Sequence, residues 1–431
     1  MRDFAVSDNP AVQVQLDRLG ALSLPQGRFG LETIRELCAR LGDPQDRLPP
    51  VFHVAGTNGK GSTCAYLRAM LEAQGYTVHA ATKPHLVRYN ERIRIAGRLI
   101  GDALLADLLR EVLDLGADLS PSFFEVTTAA TFLVFARHPA DSCVIETGLG
   151  GRLDATNVLA APAVCGIASL GIDHEAFLLA PEDGVPKEPL CRIAFEKAGI
   201  AKPGVPLVTQ AYPAEMARTV FETAESLRAV PLLRGRDWFA DIGETIAYAD
   251  TAGSLNLPLP ALAGAHQADN AALAVAMLRH QNVLTVSPEA MAQGILAARW
   301  PARLQLLGPG PLTALVPGRR VWLDGGHNAD AGEAIARFFA EGSDLHVIVG
   351  MLAAKNPAAI IGPFRNRIAS LSVVPVAGHD SHHAPAFGPS AKPVPDVATA
   401  LRALSAPGDV LIAGSLYLAG EVLNRNNEIP D

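Results

Sequence analysis

Cysteine is scarce, with five among 431 residues, at positions 38, 64, 143, 165 and 191. The number is odd and no two are spaced Cys-x-x-Cys. This argues against a disulfide scaffold and a structural zinc site, and fits a reducing compartment. Long apolar runs are missing too: none reaches the roughly 18 residues of a membrane-crossing helix. Met1-Arg2-Asp3 does not open as a signal peptide. The expectation is a soluble cytoplasmic protein with no membrane partner. There is no basic excess either. The formal net charge is −8, so no field draws nucleic acid or an anionic surface. Lysine is rare, with seven, at 60, 83, 187, 197, 202, 355 and 392, so each position is worth following.

What is present reads as globular: 49% apolar and 19% charged residues. At about 150 residues per domain, the length suggests two or three domains. Short apolar runs at 51–55, 143–146, 164–169, 207–210, 321–324, 346–350, 371–376 and 410–414 predict buried strands. Amphipathic stretches at 63–73, 102–115, 126–136, 269–278 and 329–340 predict helices between them. Such alternation implies an α/β chain whose parallel sheets are covered on both faces. Trp300-Pro301 ends a helix, and Gly308-Pro309-Gly310-Pro311 cannot continue one. A boundary there gives a first domain over 1–300 and a smaller doubly wound domain, with four strands, over 301–431. Segment 377–396, rich in Gly, His, Pro and Ala, reads as a surface loop.

The strand at 51–55 runs into Gly56-Thr57-Asn58-Gly59-Lys60-Gly61-Ser62-Thr63, and a helix follows. Glycines let backbone N–H groups turn toward an anion. The helix start adds partial positive charge, the lysine reaches outer phosphates, and a hydroxyl can meet Mg²⁺. The strict GxxxxGK[ST] pattern is not met, because Gly61 separates Lys60 from Ser62. A second strand ends in Glu146, and an acid at that end beside a phosphate loop suits Mg²⁺. Asp173-His174 follows a third strand. Phe195-Glu196-Lys197-Ala198-Gly199 reads as a helix end. By itself, Lys197 there reads as a solvated or dipole-pairing lysine.

Longer motifs carry a resemblance. His53-Val54-Ala55-Gly56-Thr57-Asn58-Gly59-Lys60-Gly61-Ser62, Pro84-His85-Leu86-Val87-Arg88-Tyr89-Asn90-Glu91-Arg92, Gly148-Leu149-Gly150-Gly151-Arg152-Leu153-Asp154 and Glu196-Lys197-Ala198-Gly199-Ile200 resemble the signatures of folylpolyglutamate synthases. So do Ala265-His266-Gln267-Ala268-Asp269-Asn270, Trp300-Pro301-Ala302-Arg303, Asp324-Gly325-Gly326-His327-Asn328 and Gly414-Ser415-Leu416-Tyr417. The chain is similar to the bacterial bifunctional dihydrofolate synthase/folylpolyglutamate synthases of the Mur ligase superfamily. That resemblance implies a P-loop ATP-binding domain with a parallel-rich sheet and a smaller Rossmann-like C-terminal domain. It implies a monomer that uses ATP to join L-glutamate to a folate or pterin carboxylate through an acyl phosphate.

Residue by residue, the resemblance implies the following roles. Residues 56–63 cradle ATP, with Lys60 on the phosphates. Ser62, Glu146, His174 and a carbamylated Lys197 hold Mg²⁺. Asn270 and Arg303 contact the nucleotide, and Asp324 and His327 form the catalytic face of the second domain. His85, Arg88, Phe124, Arg152 and Asp154 meet the pterin substrate. Phe124 is suited to stacking on a flat ring and Asp154 to accepting its N–H groups. Three features depart from the family pattern. Lys83 stands where Ser is usual, Asn356 stands where Asp is usual, and residues 180–189 look long. A charged Lys83 cannot ligate Mg²⁺, so it is expected to turn toward phosphate. A related ligase acting on another acid, or a nucleotide-binding paralogue without catalysis, stays open at this point.

Overall fold

The computed structural model describes residues 6–22, 30–341 and 344–431. Met1-Arg2-Asp3, read above for a leader, lies outside the described residues. The chain divides into two compact units, Met1–Ala261 with Gln267–Ala298, and Leu262–His266 with Arg299–Asp431.

The first unit is built on eight strands: β1 (Val51–Ala55), β2 (Val78–Ala81), β3 (Ile93–Ile95), β4 (Arg98–Leu99), β5 (Ser142–Glu146), β6 (Val164–Ile167), β7 (Pro206–Thr209) and β8 (Val230–Leu233). Their order is β4-β3-β2-β5-β1-β6-β7-β8. β1 and β5, VFHVA and SCVIE, are buried at every position, as a strand covered on both faces requires. β1 runs parallel between β5 and β6, with Val54 opposite Glu146 and Ala55 opposite Ile167. The carboxyl ends of all three therefore open on one edge, where open α/β sheets hold ligands.

The helix Lys60–Ala73 follows β1 and is covered by the helix Pro288–Ala297. A Cβ on Gly294 would sit 2.5 Å from the backbone of Met70, so only glycine allows this approach. On the other side of the sheet, Phe132, Phe135, Leu109 and Ile145 share one apolar core.

Two parts of this unit are antiparallel, in a fold expected and found to be parallel-rich. β3 and β4 form a hairpin whose turn residues Ala96 and Gly97 both have positive φ, 47° and 82°, as a two-residue type I′ turn needs. β9 (Trp238–Ile242), β10 (Ile246–Asp250) and β11 (Gly253–Leu257) form a separate antiparallel sheet. Trp238 and Ala240 are buried while Phe239 and Asp241 are exposed. Such a half-buried strand alternates and has no continuous apolar run to find. The Asp250 carboxylate takes two 2.6 Å hydrogen bonds from Arg279 and ties this sheet to the helix His266–Arg279.

Among the described residues the second unit has six strands where four were expected: β12 (Gln305–Leu306), β13 (Val321–Leu323), β14 (Leu345–Val349), β15 (Ile368–Val373), β16 (Ala391–Pro393) and β17 (Asp409–Ala413). The order is β12-β13-β17-β14-β15-β16, and all pairs but β12–β13 are parallel. β16 lies within the segment expected to be loop. As an edge strand it tolerates Pro393, which lacks a ladder N–H. Among the described residues, no helix is long and apolar enough to cross a membrane.

Candidate active site

The loop after β1 is shaped by two glycines. Gly56 has φ 147°, and a Cβ there would press on Ala168 at 3.0 Å. Gly59 has φ 84° and caps the helix Lys60–Ala73, and a Cβ there would overlap Asn270 Oδ1. Asn270, 5% exposed, is thus set directly against the phosphate-loop candidate. The loop is tied to the exit of β6. Thr57 N donates to Ser169 O at 2.7 Å, Thr57 Oγ1 donates to Gly171 O at 2.8 Å, and Ser169 Oγ donates to Asn58 O at 3.2 Å. Lys60 Nζ folds over the loop and donates to Gly56 O at 2.9 Å and Thr57 O at 3.2 Å. Gly61, Ser62 and Thr63 in the first helical turn are buried.

Glu146 ends the neighbouring strand, is 3% exposed, and accepts the Lys83 backbone N–H at 3.0 Å. Thr63 Oγ1 and Thr147 Oγ1 are buried hydroxyls without a hydrogen-bond partner. Buried orphan hydroxyls beside a helix start, a glycine cradle and one buried carboxylate fit phosphate with Mg²⁺. Among the described residues no three His, Cys, Asp or Glu side chains converge as a metal cage. Mg²⁺ does not need one, because it takes one or two carboxylates and completes its shell with water and phosphate oxygen. Thr147 carried no sequence signal beyond following Glu146.

Lys197 is 3% exposed on the helix Pro189–Ala198, and its Nζ donates to Gly150 O at 3.4 Å. Burial, reinforced by the Lys60 ammonium, pulls its amine down to about 7, while the Asp154, Asp173 and Glu196 carboxylates pull the other way. Lys60, Asp154, Asp173 and Lys197 therefore share one electrostatic environment. The reading of Lys197 as a solvated lysine is overturned by its burial. His174, half-buried, has a left-handed backbone at φ 54°, and its backbone N–H is held by Asp173 Oδ1 at 2.8 Å.

The pterin-side candidates fall on three segments. Glu91, missed in the sequence reading, folds the first by accepting the N–H groups of Leu86, Val87 and Arg88 at 2.7, 3.0 and 2.7 Å. His85 Nδ1 accepts Arg92 Nε–H at 2.9 Å, and Arg88 is exposed. On the second, Ser122 and Glu125 form a capping box at the start of the helix Phe123–Arg137. Phe123 packs on the core there, and Phe124 stays half-buried with its ring edge-on to Phe123.

On the third, both Asp154 oxygens are engaged by its own loop: Gly148 N and Leu149 N at 2.8 Å, Thr156 N at 3.0 Å and Thr156 Oγ1 at 2.6 Å. Burial raises the Asp154 carboxyl, but the Lys83 ammonium and these hydrogen bonds outweigh it and hold it below the usual carboxylate range. Lys83 reaches over this loop. Its Nζ and Asp154 Oδ2 converge over Gly148, 3.6 and 3.2 Å from the place of a Cβ there. Arg152 is also committed, to Glu196 and Glu182, and lies over the Phe195 ring.

In the second unit, Asp324 follows β13 and is 6% exposed. It accepts Leu304 N at 2.8 Å and Gly326 N at 2.7 Å. His327 Nδ1 lies 3.1 Å from Gly325 O. A Cβ on Gly325 would sit 3.0 Å from Arg303 Nη1, so Arg303, Asp324 and His327 gather around one glycine turn. Ala302 and Leu304, flanking Arg303, both have positive φ, 56° and 46°. Such backbone costs about 1–3 kcal/mol per residue and collects at functional sites. Asn356 caps the helix Pro357–Ile361 through Oδ1, which accepts Ala358 N at 3.0 Å.

No family model matches the chain. It is 33% identical over 435 residues to the dihydrofolate synthase/folylpolyglutamate synthase of Bacillus subtilis (strain 168), covering 92% of this chain and 94% of that protein. Escherichia coli FolC in complex with DHPP and ADP has a similar structure, with TM-score 0.83, 31% identity and 97% of each chain covered. So does a bifunctional folylpolyglutamate synthase/dihydrofolate synthase with Mn, AMPPNP and L-glutamate bound, with TM-score 0.83, 29% identity, and 98% of this chain and 99% of that one covered. With the phosphate-loop candidate, Glu146 and Lys197 at one end of a parallel-rich sheet of this fold, the chain belongs to the dihydrofolate synthase/folylpolyglutamate synthase family.

Proposed function

We propose that this chain is an ATP-dependent ligase that joins L-glutamate by an amide bond to dihydropteroate and, in a second activity, to tetrahydrofolate. The observation that carries the reading is the glycine loop 56–63 beside the buried Glu146 carboxylate, set there by the β1/β5 register. Residues 1–300 supply the ATP and pterin sites, and 301–431 the glutamate-ligating face with Asp324 and His327. The chain acts as a cytoplasmic monomer, and its charge of −8 and five free cysteines favour that setting.

The acceptor carboxylate attacks the γ-phosphorus of ATP and ADP leaves. The glutamate amine then attacks the acyl carbon, phosphate leaves and one proton is lost. No protein nucleophile is needed, so catalysis is positioning and charge neutralisation. The loop N–H groups and Lys60 bind the phosphates. Ser62, Glu146, His174 and a carbamate on Lys197 are the residues that would hold Mg²⁺, which supplies neutralisation of phosphate charge. Lys197 suits carbamylation because burial draws its amine down to about 7, so that a substantial neutral fraction is present near neutral pH. The lone pair adds to CO₂, the N–H proton leaves to solvent, and an oxygen-donor anion results. Asn270 and Arg303 orient the nucleotide. Phe124, His85 and Arg88 meet the pterin, and Asp154 and Arg152 shape the loop beside it.

A ligase for another carboxylic acid is the second reading, favoured by the Lys83 ammonium that shares the space over Gly148 with the Asp154 carboxylate. Mass spectrometry of products from dihydropteroate, tetrahydrofolate, ATP, Mg²⁺ and glutamate separates the two. One added glutamate on either acceptor supports the first reading. No glutamylated product from either, with phosphate released in the presence of another acid, overturns it.

A further inference from the structure

Four charged side chains close a ring beside Lys197. Arg152 Nη2 donates to Glu182 Oε2 at 2.6 Å and to Glu196 Oε1 at 2.8 Å. Arg192 Nη2 reaches the same two oxygens, at 2.9 and 3.0 Å. The signs alternate around the ring and cancel. Side-chain exposures of 22% for Arg152, 10% for Glu182, 7% for Arg192 and 5% for Glu196 leave little solvent to screen an imbalance.

Three corners come from segments already packed together. Arg192 and Glu196 lie one turn apart on the helix Pro189–Ala198, and Arg152 N donates to Glu196 O at 2.7 Å. Glu182 alone comes from the 180–189 stretch, read above as long. Both routes from the ring end at Lys197. Glu196 precedes it in the helix. Arg152 belongs to the loop whose Gly150 carbonyl accepts Lys197 Nζ.

We propose that Glu182 is a positioning residue for Lys197: by balancing Arg152 against Arg192 it holds the Gly150–Arg152 loop on the Lys197 helix. Without it, two guanidinium groups share one carboxylate in a largely buried ring. Arg152, the most exposed corner, turns to solvent and takes the loop with it. This inference rests on the proposed carbamylation of Lys197 and deepens it.

The test is ¹³C NMR of the full chain in ¹³C-labelled bicarbonate, with Lys197→Ala assigning the carbamate signal, alongside steady-state kinetics. Glu182→Gln is expected to lose most of that signal. Its kcat is expected to drop about tenfold while KM for ATP stays within about twofold, as a misplaced group at the reacting centre requires. Glu182→Gln with Arg192→Gln, which restores a neutral ring, is expected to recover signal and kcat. An undiminished carbamate in Glu182→Gln overturns the proposal, and so does a double variant with no recovery, whether or not the single variant folds. A wild-type chain without a carbamate at Lys197 overturns the carbamylation itself, and this inference with it.

Discussion

Replacing Lys197 by Met removes an amine from a site that is 3% exposed and keeps an unbranched chain of similar length. The lysine is drawn from 10.5 to about 7, mainly by burial. In the unfolded chain it binds a proton below 10.5, and in the folded chain only below about 7. The fold therefore loses stability as pH falls from 10.5 to about 7, and the loss is constant below that. At about 1.36 kcal/mol per pH unit, the penalty near neutral pH is on the order of 4 kcal/mol. Lys197→Met escapes it, while every other titration is common to both proteins and cancels in the difference. Urea unfolding of both proteins in CO₂-free buffer at pH 6.5 and 9.5 measures it. The variant should be the more stable by a few kcal/mol at pH 6.5, with the gap shrinking by about 2 kcal/mol or more at pH 9.5. The same variant should be nearly inactive as a ligase. A gap that does not change with pH, or a variant less stable at pH 6.5, would refute the account of a lysine neutralised by burial.

Lys60→Ala should cut kcat by about a hundredfold to a thousandfold, as loss of a contact to transferring phosphate does; near-normal turnover with folate acceptors would remove the phosphate-loop assignment. Gly59→Ala forces φ 84° on a residue with a Cβ and pushes that Cβ into Asn270. KM for ATP should rise at least about tenfold, measured at saturating acceptor, with about 1–2 kcal/mol lost in urea unfolding. Lys83→Ser removes the ammonium beside Gly148 while keeping the backbone N–H on Glu146. The Mg²⁺ concentration for half-maximal activity at saturating ATP should fall, and an unchanged requirement would mean that the Lys83 ammonium does not weaken the metal site.

Much of this protein is legible along the chain. The fully buried β1 and β5 announce themselves as continuous apolar runs, and the loop 56–63 as glycine, lysine and hydroxyls between a strand and a helix. These are local properties, because backbone freedom at Gly56 and Gly59 and the burial of VFHVA depend on a few neighbouring residues. The half-buried strands β9–β11 and the short edge strand β16 were not legible, because their burial depends on partners distant in sequence. The electrostatics were decided only in three dimensions. Lys197 reads as solvated along the helix, and its amine is drawn down only where the fold buries it against the Gly150 loop in the field of Lys60. Lys83 lies in the field of Asp154, 71 positions away, and Glu182 meets Arg152, 30 positions away. A charge's state follows its dielectric surroundings and its nearest opposite charges, and folding, not sequence order, sets both.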